Sequence, residues 1–516
     1  MIVRTIIPFC VLVFGIFYFC LRILGTHLEF IPGDLGDSRF INYILEHGYL
    51  FLKGDDHSFW DAPFMYPYPN TVAISDNMLG TMPVYALLRY FGFSMESSYQ
   101  LWWIFICVLN YLCSYFVFKK LTNHVILSSA FAYVFAFGLF NITHLNYMQT
   151  IIRFNVPLVI YFAYKLIETP NRKYLFFYVF GLVFQFYCVI YTGFYLLYAS
   201  LLFILCYTYL TKKKVNLKFY IQRNNILNSC LILGIGTILM CFLMYPYIIT
   251  AFNLGLRSYG EAAPNIPTIG SYFFAHESSI LWNFLFDPKL VPHESWWLQN
   301  IFPGIIPVLC FMIPVIYLFI QKRKKQPVNS LLLALVITCA ITFVLFAKTA
   351  GGLTLYRIIF VLPGMSAMRV VPRFVHVQLF MALLLGALFF MKQNKWLIYG
   401  LALLCVIDNL FNSEKVGTTA KAEIQKHKQS LVSKIKSYDF KNYKAIAYIA
   451  DNDNPFFVKN IDAMVASQSL NIKCVNGYSS ACPGEFGEMF SKCNQEGLDS
   501  WLKASNIPEK DILIIK

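Results

Sequence analysis

The sequence has few charged residues. Only 13% of its 516 residues are Asp, Glu, Lys or Arg, whereas 58% are hydrophobic. Soluble domains carry about 25% charged residues, so this scarcity excludes a soluble globular protein. Apolar runs of the length that a helix needs to cross a bilayer recur almost to residue 411. The composition therefore predicts a polytopic membrane protein.

Common nucleotide and zinc signatures are also missing. The sequence has no GxGxxG or P-loop motif, no CxxC pair and no cluster of Cys and His. These absences argue against a nucleotide-binding domain of either type and against a structural zinc site. Of the fourteen cysteines, three (Cys474, Cys482 and Cys493) lie in a polar C-terminal segment. They could supply one disulfide and one free thiol, and the sequence does not select the pair.

We predict eleven transmembrane helices in the apolar runs. Their approximate bounds are 6–24, 98–118, 125–143, 151–168, 174–190, 193–211, 226–248, 301–320, 329–347, 376–391 and 396–411. The short apolar stretch 79–93 is either a twelfth span or a helix at the membrane surface, and its Pro83 and Arg89 suit the surface position.

The distribution of Lys and Arg predicts the orientation. Positive short loops stay cytoplasmic, and in the eleven-span scheme the basic clusters all fall on the side that holds the N-terminus. These clusters are Lys119 with Lys120, Arg172 with Lys173, "TKKKVNLK" (211–218), "QKRKK" (321–325) and "KQNK" (392–395). We therefore expect a multi-pass protein of the cell (inner) membrane with a cytoplasmic N-terminus. The net charge of +15 is explained by this topology, and no nucleic-acid partner is expected.

Two parts of the chain differ in character. Residues 1–411 are predicted to form an all-α polytopic membrane bundle of about eleven helices, with a long acidic outer loop at 25–97. Residues 412–516 are rich in Lys, Asn, Ser and Asp, and "AIAYIA" (445–450) and "DILIIK" (511–516) are typical of buried strands. We expect this tail to be a small, soluble α/β domain on the extracytoplasmic side of the membrane.

Two aspartates stand three residues apart in "GDLGDSRF" (33–40), shortly after the first span. In one interpretation Asp34 and Asp37 lie in a solvated loop, and Asp37 caps a helix that begins near Arg39. In the other, one of them is a general base or binds a divalent cation. Spacing of three places both carboxylates on one side of a helical turn, and a carboxyl group partly desolvated near lipid has a raised pKa.

Other polar residues are predicted on the same outer side. In "SAMRVVPRF" (366–374), Arg369 and Arg373 are four apart, so on a helix they would face the same way. Guanidinium groups bind phosphate well, which favours an anionic ligand over simple snorkelling to the interface. His144 and Asn146, at the end of another span, could contact a hydroxylated ligand.

Taken together, these stretches resemble the GT-C class of membrane glycosyltransferases, in particular its bacterial members with a soluble C-terminal tail. The resemblance rests on "GDLGDSRF", "FWDAPFMYPYPNTVAISDN" (59–77), "THLNYMQ" (143–149), "MRVVPRF" (368–374) and "NGYSSACPGEF" (476–486), which are spread over almost the whole chain.

The resemblance implies transfer of a sugar from a polyprenyl-phosphate donor to a lipid or glycan acceptor at the outer membrane face, among membrane lipids. Asp34 or Asp37 would deprotonate the acceptor hydroxyl, and Arg369 and Arg373 would hold the leaving phosphate. The remaining expected substrate contacts are Arg39, Tyr66, Asp76, His144 and Asn146. No cofactor is implied with certainty. A divalent cation held by Asp34, Asp37 and a loop acid such as Glu261 is left open.

Three other functions are compatible with this composition. A transporter or flippase of lipid-linked saccharide usually has charged or Gly/Pro-broken positions at the membrane midplane, and the predicted spans are nearly free of ionisable residues. A polymerase or ligase of surface polysaccharide would place its essential residues in the later outer loops. A GT-C relative without activity would have only a structural role.

Overall fold

The computed structural model describes residues 2–212, 217–291, 295–449 and 454–516, and most of this chain is helical. The helices are, in chain order, α1 (Ile2–Gly15), α2 (Arg22–Leu24), α3 (Asp37–Lys53), α4 (Met82–Tyr90), α5 (Met95–Thr122), α6 (Val125–Phe137), α7 (Asn155–Glu168), α8 (Arg172–Cys188), α9 (Ile190–Thr211), α10 (Leu217–Ile221), α11 (Arg223–Leu254), α12 (Tyr259–Ala262), α13 (Ile305–Arg323), α14 (Ser330–Phe346), α15 (Tyr356–Phe360), α16 (Val375–Phe390), α17 (Lys395–Ile407), α18 (Lys421–Lys436), α19 (Phe456–Ser469), α20 (Gly487–Lys492) and α21 (Gln495–Ala504). Residues 213–216 of the basic cluster at 211–218 lie outside the described residues.

A helix occupies each of the eleven predicted spans, but these helices differ in length. Within the described residues, six are long and apolar enough to cross a membrane, namely Thr5–Leu24, Met95–Thr122, Ile190–Thr211, Arg223–Leu254, Ile305–Arg323 and Val371–Phe390. A seventh crossing results if α6 and the segment Leu139–Ile151, which meet at 46°, form one span.

The other predicted spans hold shorter helices. α7, α8, α14 and α17 have 14, 17, 17 and 13 residues. Such helices extend about 20 to 26 Å, less than the hydrocarbon thickness of about 30 Å. The fold is that of a polytopic, mostly helical membrane protein, and the number of eleven crossings stays a prediction.

The ambiguous stretch 79–93 forms the nine-residue helix α4. A helix of this length covers about 14 Å, too little to span a bilayer. Arg89 at its end donates from Nε and Nη2 to the Glu46 carboxylate of α3, at 2.7 and 2.9 Å. The stretch is therefore a short helix held against α3 and not a twelfth span.

An irregular segment joins α6 to α7. Residues Leu139–Ile151 form a 3₁₀ helix with a break at Tyr147. Its last carbonyl groups are satisfied from neighbouring helices, because Asn110 Nδ2 donates to Ile151 O at 2.8 Å and Gln185 Nε2 donates to Ile152 O at 3.0 Å. Backbone groups outside regular helix need such partners in apolar surroundings. Side chains of α5 and α8 thereby fix the segment that carries His144 and Asn146.

The C-terminal residues contain both predicted strands. β3 (Ala445–Tyr448) pairs in parallel with β5 (Ile512–Ile515) and with the short β4 (Lys473–Cys474), so the strand order is β4-β3-β5. An antiparallel pair, β1 (Phe30–Pro32) and β2 (Thr418–Ala420), joins this part of the chain to the first loop. Cys474, Cys482 and Cys493 are all free thiols. The tail therefore packs directly on the first loop, and a separate α/β domain stays a prediction.

Candidate active site

Asp37 is the first residue of α3, which starts two residues earlier than the predicted start near Arg39. Its carboxylate does not cap the helix, since the N-cap position is Gly36 and no side-chain cap bond is present there. Instead Asp37 Oδ1 accepts a hydrogen bond from the Tyr478 hydroxyl at 2.5 Å. The first loop and the tail thus meet at this carboxylate.

Asp34 lies in the turn that precedes α3, where its Oδ1 accepts from Gly36 N at 2.9 Å. This turn packs closely on the 3₁₀ segment. A Cβ atom at Gly33 would lie 2.6 Å from Leu145 O, and Gly33 has a φ of +88°, which favours glycine. Asn146 lies beside the same glycine, because the distance from that Cβ position to Asn146 Cα is 3.2 Å. Gly33 therefore brings the turn that carries Asp34 next to the predicted substrate contact Asn146.

Arg373 is held between two tyrosine rings. Its guanidinium carbon is 5.2 Å from the Tyr147 ring centroid and 4.9 Å from that of Tyr191. Such cation–π contacts stabilise a charge that is largely removed from water, and Arg373 is only 8% exposed. It belongs to a 3₁₀ turn, Val371–Phe374, that leads into α16. The two rings thereby fix the arginine in position, and no acidic residue of the described ranges forms a salt bridge with it.

The two arginines do not share a helix, so the predicted helical arrangement is wrong. Arg369 precedes the 3₁₀ turn and is exposed, and Val370 between them has non-helical angles. Both guanidinium charges nevertheless act on Asp37, whose pKa they lower. Neither makes a salt bridge among the described residues. Two positive charges therefore act on the Asp37 carboxylate and keep their capacity to bind an anion.

Burial dominates the acidity of both aspartates. It raises the pKa of Asp37 above its ordinary value, and the Tyr478 hydrogen bond and the two arginines oppose that effect only in part. Asp34 is exposed on one side, yet desolvation of its carboxyl group by the surrounding protein, together with the charge of Asp37, raises its pKa against the Gly36 hydrogen bond. A carboxylate with a raised pKa is a stronger proton acceptor.

Asp76 is a third carboxylate in the same region. It is buried, and its Oδ1 accepts from Ile190 N at 2.8 Å, the first residue of α9. Burial raises the pKa of Asp76 to about 6, although the charge of Arg373 and backbone hydrogen bonds lower it. Asp76 therefore lies within the electrostatic field of Arg373, as expected for a residue near the site, while also holding the start of α9.

His144 lies in a narrow pocket beside Arg373. The pocket lies between the 3₁₀ segment and the outer loops, and its lining includes Thr143, His144, Tyr147, Trp297, Asn300 and Arg373. His144 is buried, and its ring centroid is 4.5 Å from that of His376 on α16. The structure thus brings Asp34, Asp37, Asp76, His144, Asn146, Arg369 and Arg373 into one region.

Two predicted substrate residues lie elsewhere. Arg39 Nη2 donates to Asp462 Oδ1 on α19 at 2.6 Å, and both residues are buried. Tyr66 O accepts from Trp501 Nε1 at 2.8 Å, and the Lys473 ammonium lies 5.0 Å from the Tyr66 ring. Both side chains join the first loop to the tail. A substrate role for Arg39 and Tyr66 gains no support from these positions.

Three tyrosines of the site were not predicted from the sequence. Tyr147, Tyr191 and Tyr478 contact Arg373 or Asp37, but the chain has 34 tyrosines and nothing in their spacing marks these three. Tyr478 lies in "NGYSSACPGEF", one of the stretches on which the family resemblance rests. Its position there could have been recognised only with knowledge that the tail covers the first loop.

The proposed cation site lacks a third ligand. Glu261 Oε1 accepts from the backbone N–H and hydroxyl of Ser258 at 2.9 and 3.2 Å, which forms a capping box at the start of α12. Among the described residues, no group of three or more Asp, Glu, His or Cys side chains is arranged to hold a metal ion. Asp34, Asp37 and Glu261 therefore do not fit as a ligand set, and no step is assigned to a cation here.

Comparison with known proteins gives matches only at the level of structure. No protein-family model and no curated protein sequence matches the chain. The structure is similar to that of the apo oligosaccharyltransferase of Archaeoglobus fulgidus, with a TM-score of 0.52 and 11% sequence identity over 97% of this chain and 69% of that protein. The same enzyme tethered to an acceptor peptide containing the NVT sequon gives a TM-score of 0.49 at 11% identity, over 97% of this chain and 68% of the other.

The chain therefore shares the overall fold of that oligosaccharyltransferase. At 11% identity the similarity concerns the fold alone, so it does not transfer a substrate or a set of site residues. The fold nevertheless agrees with the class that the sequence motifs resemble. What this region does must be argued from its own residues.

Proposed function

We propose that this protein is a GT-C-type membrane glycosyltransferase that moves a sugar from a polyprenyl-phosphate donor to a lipid or glycan acceptor at the outer face of the membrane. The observation that carries the proposal is the arrangement around Asp37. A carboxylate with a raised pKa lies under the influence of two arginines that make no salt bridge among the described residues. A proton acceptor and an anion site are thus adjacent, which is what glycosyl transfer from a phosphate requires.

Asp37 is the general base in this proposal. It accepts the proton of the acceptor hydroxyl while the acceptor oxygen forms a bond to the anomeric carbon of the donor sugar. The bond from that carbon to the phosphate oxygen breaks, and the electron pair leaves with the phosphate. Arg373 and Arg369 stabilise the negative charge that develops on the phosphate.

The position of the arginines suits a lipid-linked donor. Arg373 lies three residues into the apolar stretch Val371–Phe390, one of the membrane-spanning candidates. A phosphate bound there would place its polyprenyl chain beside apolar helices, and the sugar would point towards the first loop. Arg369, which is exposed, would contact the phosphate from the aqueous side.

The test is sugar transfer by purified protein in lipid, with a panel of polyprenyl-phosphate sugars as donors. We expect Asp37→Asn to reduce transfer by about 10²- to 10⁴-fold, the usual range for loss of a general base. Arg373→Gln should have a comparable effect on the rate at saturating donor. Matched controls are Asp55→Asn, which changes a half-buried carboxylate paired with Lys53 just after α3, and Arg357→Gln, which changes an exposed arginine of α15.

Two outcomes would contradict the proposal. If Asp34→Asn and Asp37→Asn both retain full transfer activity, neither aspartate of the first loop takes part in the reaction. That result would favour a polymerase or ligase with its essential residues in the later outer loops. Absence of transfer from every donor, combined with movement of the intact lipid-linked sugar across the bilayer, would identify a flippase. A decrease caused by Asp34→Asn alone would assign the base to Asp34 and not to Asp37.

A further inference from the structure

The backbone between Arg369 and Arg373 is not helical throughout, so no helix sets the separation of their side chains. Met368 and Val370 have non-helical angles, and the 3₁₀ turn begins only at Val371. Met368 and Val370 are buried, whereas Arg369 between them is exposed, as in an extended chain. The position of each arginine must therefore be set by contacts with another element.

Those contacts come from one face of α9. Tyr191, Tyr195 and Tyr198 are spaced i, i+4 and i+7, so they lie on the same side of this helix. All three hydroxyls donate to carbonyl oxygens of residues 363–370, which we call the arginine segment. The bonds are Tyr198 Oη to Pro363 O at 2.8 Å, Tyr195 Oη to Val370 O at 3.2 Å and Tyr191 Oη to Ala367 O at 3.4 Å. This tyrosine face therefore holds the arginine segment at three points.

The arginine segment also packs closely on α9. Gly364 has a φ of +77°, and a Cβ atom there would lie 2.1 Å from Cζ of Phe194 on α9. Only glycine permits both this backbone conformation and this approach. Beyond the segment, the ring of Tyr195 contacts Phe374, with 5.4 Å between the centroids. α9 therefore supports the chain from Gly364 to the residue before α16.

Tyr191 is the member of the tyrosine face that contacts both arginines. Its ring centroid is 4.9 Å from the guanidinium carbon of Arg373. Its hydroxyl accepts from the backbone N of Arg369 at 3.3 Å while donating to Ala367 O. A phenol oxygen can donate and accept at once, so the two bonds are compatible. One side chain thus contacts the charged group of one arginine and the backbone of the other.

Such a contact matters for binding an anion. Two guanidinium groups hold one phosphate only when their separation suits it. Ordering a flexible side chain or loop when a ligand binds weakens the affinity, and a group that is already in position avoids part of that cost. The Arg369 side chain is exposed, so its backbone is the part that the Tyr191 hydroxyl can fix.

We propose that Tyr191 is a positioning residue that holds Arg369 and Arg373 at the separation needed to bind one phosphate. Its ring orients the Arg373 guanidinium, and its hydroxyl fixes the backbone from which Arg369 extends. This inference rests on the proposed function and adds the residue that joins the two arginines into one anion site. The ring and the hydroxyl of Tyr191 then contribute to phosphate affinity through different arginines.

The experiment measures binding of polyprenyl phosphate without sugar to the full-length protein in nanodiscs, with polyprenol as the uncharged reference. Tyr191→Phe removes the hydroxyl and keeps the ring, and Tyr191→Leu removes both. Each is combined with Arg369→Gln and, separately, with Arg373→Gln in double-mutant cycles. The matched control is Tyr209→Phe, which removes a hydroxyl from a residue of α9 that is 85% exposed.

We expect Tyr191→Phe to weaken binding of polyprenyl phosphate by about 3- to 10-fold, the effect of one neutral hydrogen bond. In the Arg369→Gln background it should cause no further loss. Tyr191→Leu should weaken binding more than Tyr191→Phe does, and this additional loss should disappear in the Arg373→Gln background, because a phenylalanine ring still stacks on a guanidinium group. Binding of polyprenol should be the same in all variants, and Tyr209→Phe should bind both lipids as the wild type does.

Two results would overturn the inference while leaving the proposed function in place. In both, Arg369→Gln and Arg373→Gln weaken binding of polyprenyl phosphate. In the first, Tyr191→Phe and Tyr191→Leu bind it as the wild type does, so the arginines do not depend on Tyr191. In the second, the Tyr191 variants weaken binding by the same factor in every background, so Tyr191 only supports the structure.

Failure of the proposed function gives a different result. If the wild type does not bind polyprenyl phosphate, or if neither Arg369→Gln nor Arg373→Gln weakens its binding, the two arginines are not a phosphate site. The inference about Tyr191 is then overturned together with the proposed function.

Discussion

Tyr478 reaches Asp37 from a position 441 residues away in the sequence and donates a hydrogen bond to its carboxylate. The Tyr478 ring also contacts Phe40 on α3, with 5.7 Å between the ring centroids. Desolvation raises the pKa of Asp37, and the Tyr478 bond lowers it again. Tyr478 is thus a positioning residue. By lowering the pKa of Asp37, it also lowers the pH above which Asp37 is deprotonated and can act as the base.

We expect Tyr478→Phe to move the acidic limb of the pH–rate profile to higher pH. Removal of the hydroxyl deletes a contact that favours the charged form, so the pKa of Asp37 rises further and a larger fraction is protonated at a given pH. The measurement is kcat/KM for transfer as a function of pH in both proteins. A uniform loss of rate with an unchanged profile would mean that Tyr478 only supports the local structure.

A second residue-scale effect concerns stability. The pKa of Asp76 is about 6 in the folded protein, above its value of 3.8 without the protein environment. The folded state therefore binds the proton more tightly than the unfolded state. Its stabilising contribution is present below pH 3.8 and is lost as the pH rises through about 6.

Comparison of wild type with Asp76→Asn should isolate this contribution. The amide oxygen introduced by the substitution would still accept from Ile190 N, but the amide would not ionise, so we expect the wild-type Tm to fall relative to the variant between pH 4 and 7. The difference in Tm at each pH is the quantity to measure, since other groups titrate in both proteins. A constant difference across this range would contradict the raised pKa of Asp76.

At the scale of elements, α3 and α19 are joined by a buried ion pair. Arg39 on α3 bonds Asp462 Oδ1, and Asp462 Oδ2 lies 3.0 Å from Nδ1 of His427 on α18. Arg39 is 3% exposed, and its Nε and Nη1 are enclosed without a partner in the described structure. The pair therefore connects the helix that carries Asp37 to the tail that carries Tyr478.

A double-mutant cycle separates a structural role of Arg39 from a role in substrate binding. Loss of one partner of a buried ion pair typically costs about 3 to 5 kcal/mol, whereas replacement of both by apolar residues is often neutral. We expect Arg39→Met to lower stability and transfer, and Arg39→Met with Asp462→Leu to restore both in large part. If the double variant regains stability but not transfer activity, the result would support a direct contact of Arg39 with the substrate.

Some elements of the site can be predicted from the sequence because they depend on local sequence patterns. The α3 helix is predicted from Asp37 as a helix-start signal, and the aspartates and arginines are expected on one side because their motifs flank spans at the same membrane face. The helical register assumed for Arg369 and Arg373 was wrong, because Pro372 and the extended residues before it delay the helix until Val375. The contacts of Arg39 and Tyr66 with the tail depend on tertiary packing, which local patterns do not contain.

At the scale of the whole molecule, the tail is part of the candidate site and not an appendage. β1 pairs with β2 in antiparallel register, with Phe30 opposite Ala420 and Pro32 opposite Thr418. Two further contacts hold the tail loop that carries Tyr478, since Arg257 Nη2 donates to Ser480 O at 2.9 Å and Ser480 Oγ donates to Ile74 O at 2.6 Å. The first loop, the segment after α11 that carries Arg257 and the tail therefore meet around Tyr478.

This arrangement predicts that transfer proceeds with the tail fixed on the first loop. Phe30→Cys combined with Ala420→Cys places two thiols opposite each other on neighbouring strands, where the Cα separation of about 4.5 to 5.5 Å permits a disulfide. We expect the oxidised double variant to retain most of the transfer activity of its reduced form, because Tyr478 then stays on Asp37. Activity is measured before and after oxidation, with Phe30→Cys alone as the control for the effect of oxidant on the native thiols. Loss of activity on oxidation that returns on reduction, in the double variant only, would show instead that the tail must leave the first loop during each cycle, and Tyr478 would then be a contact of the resting state.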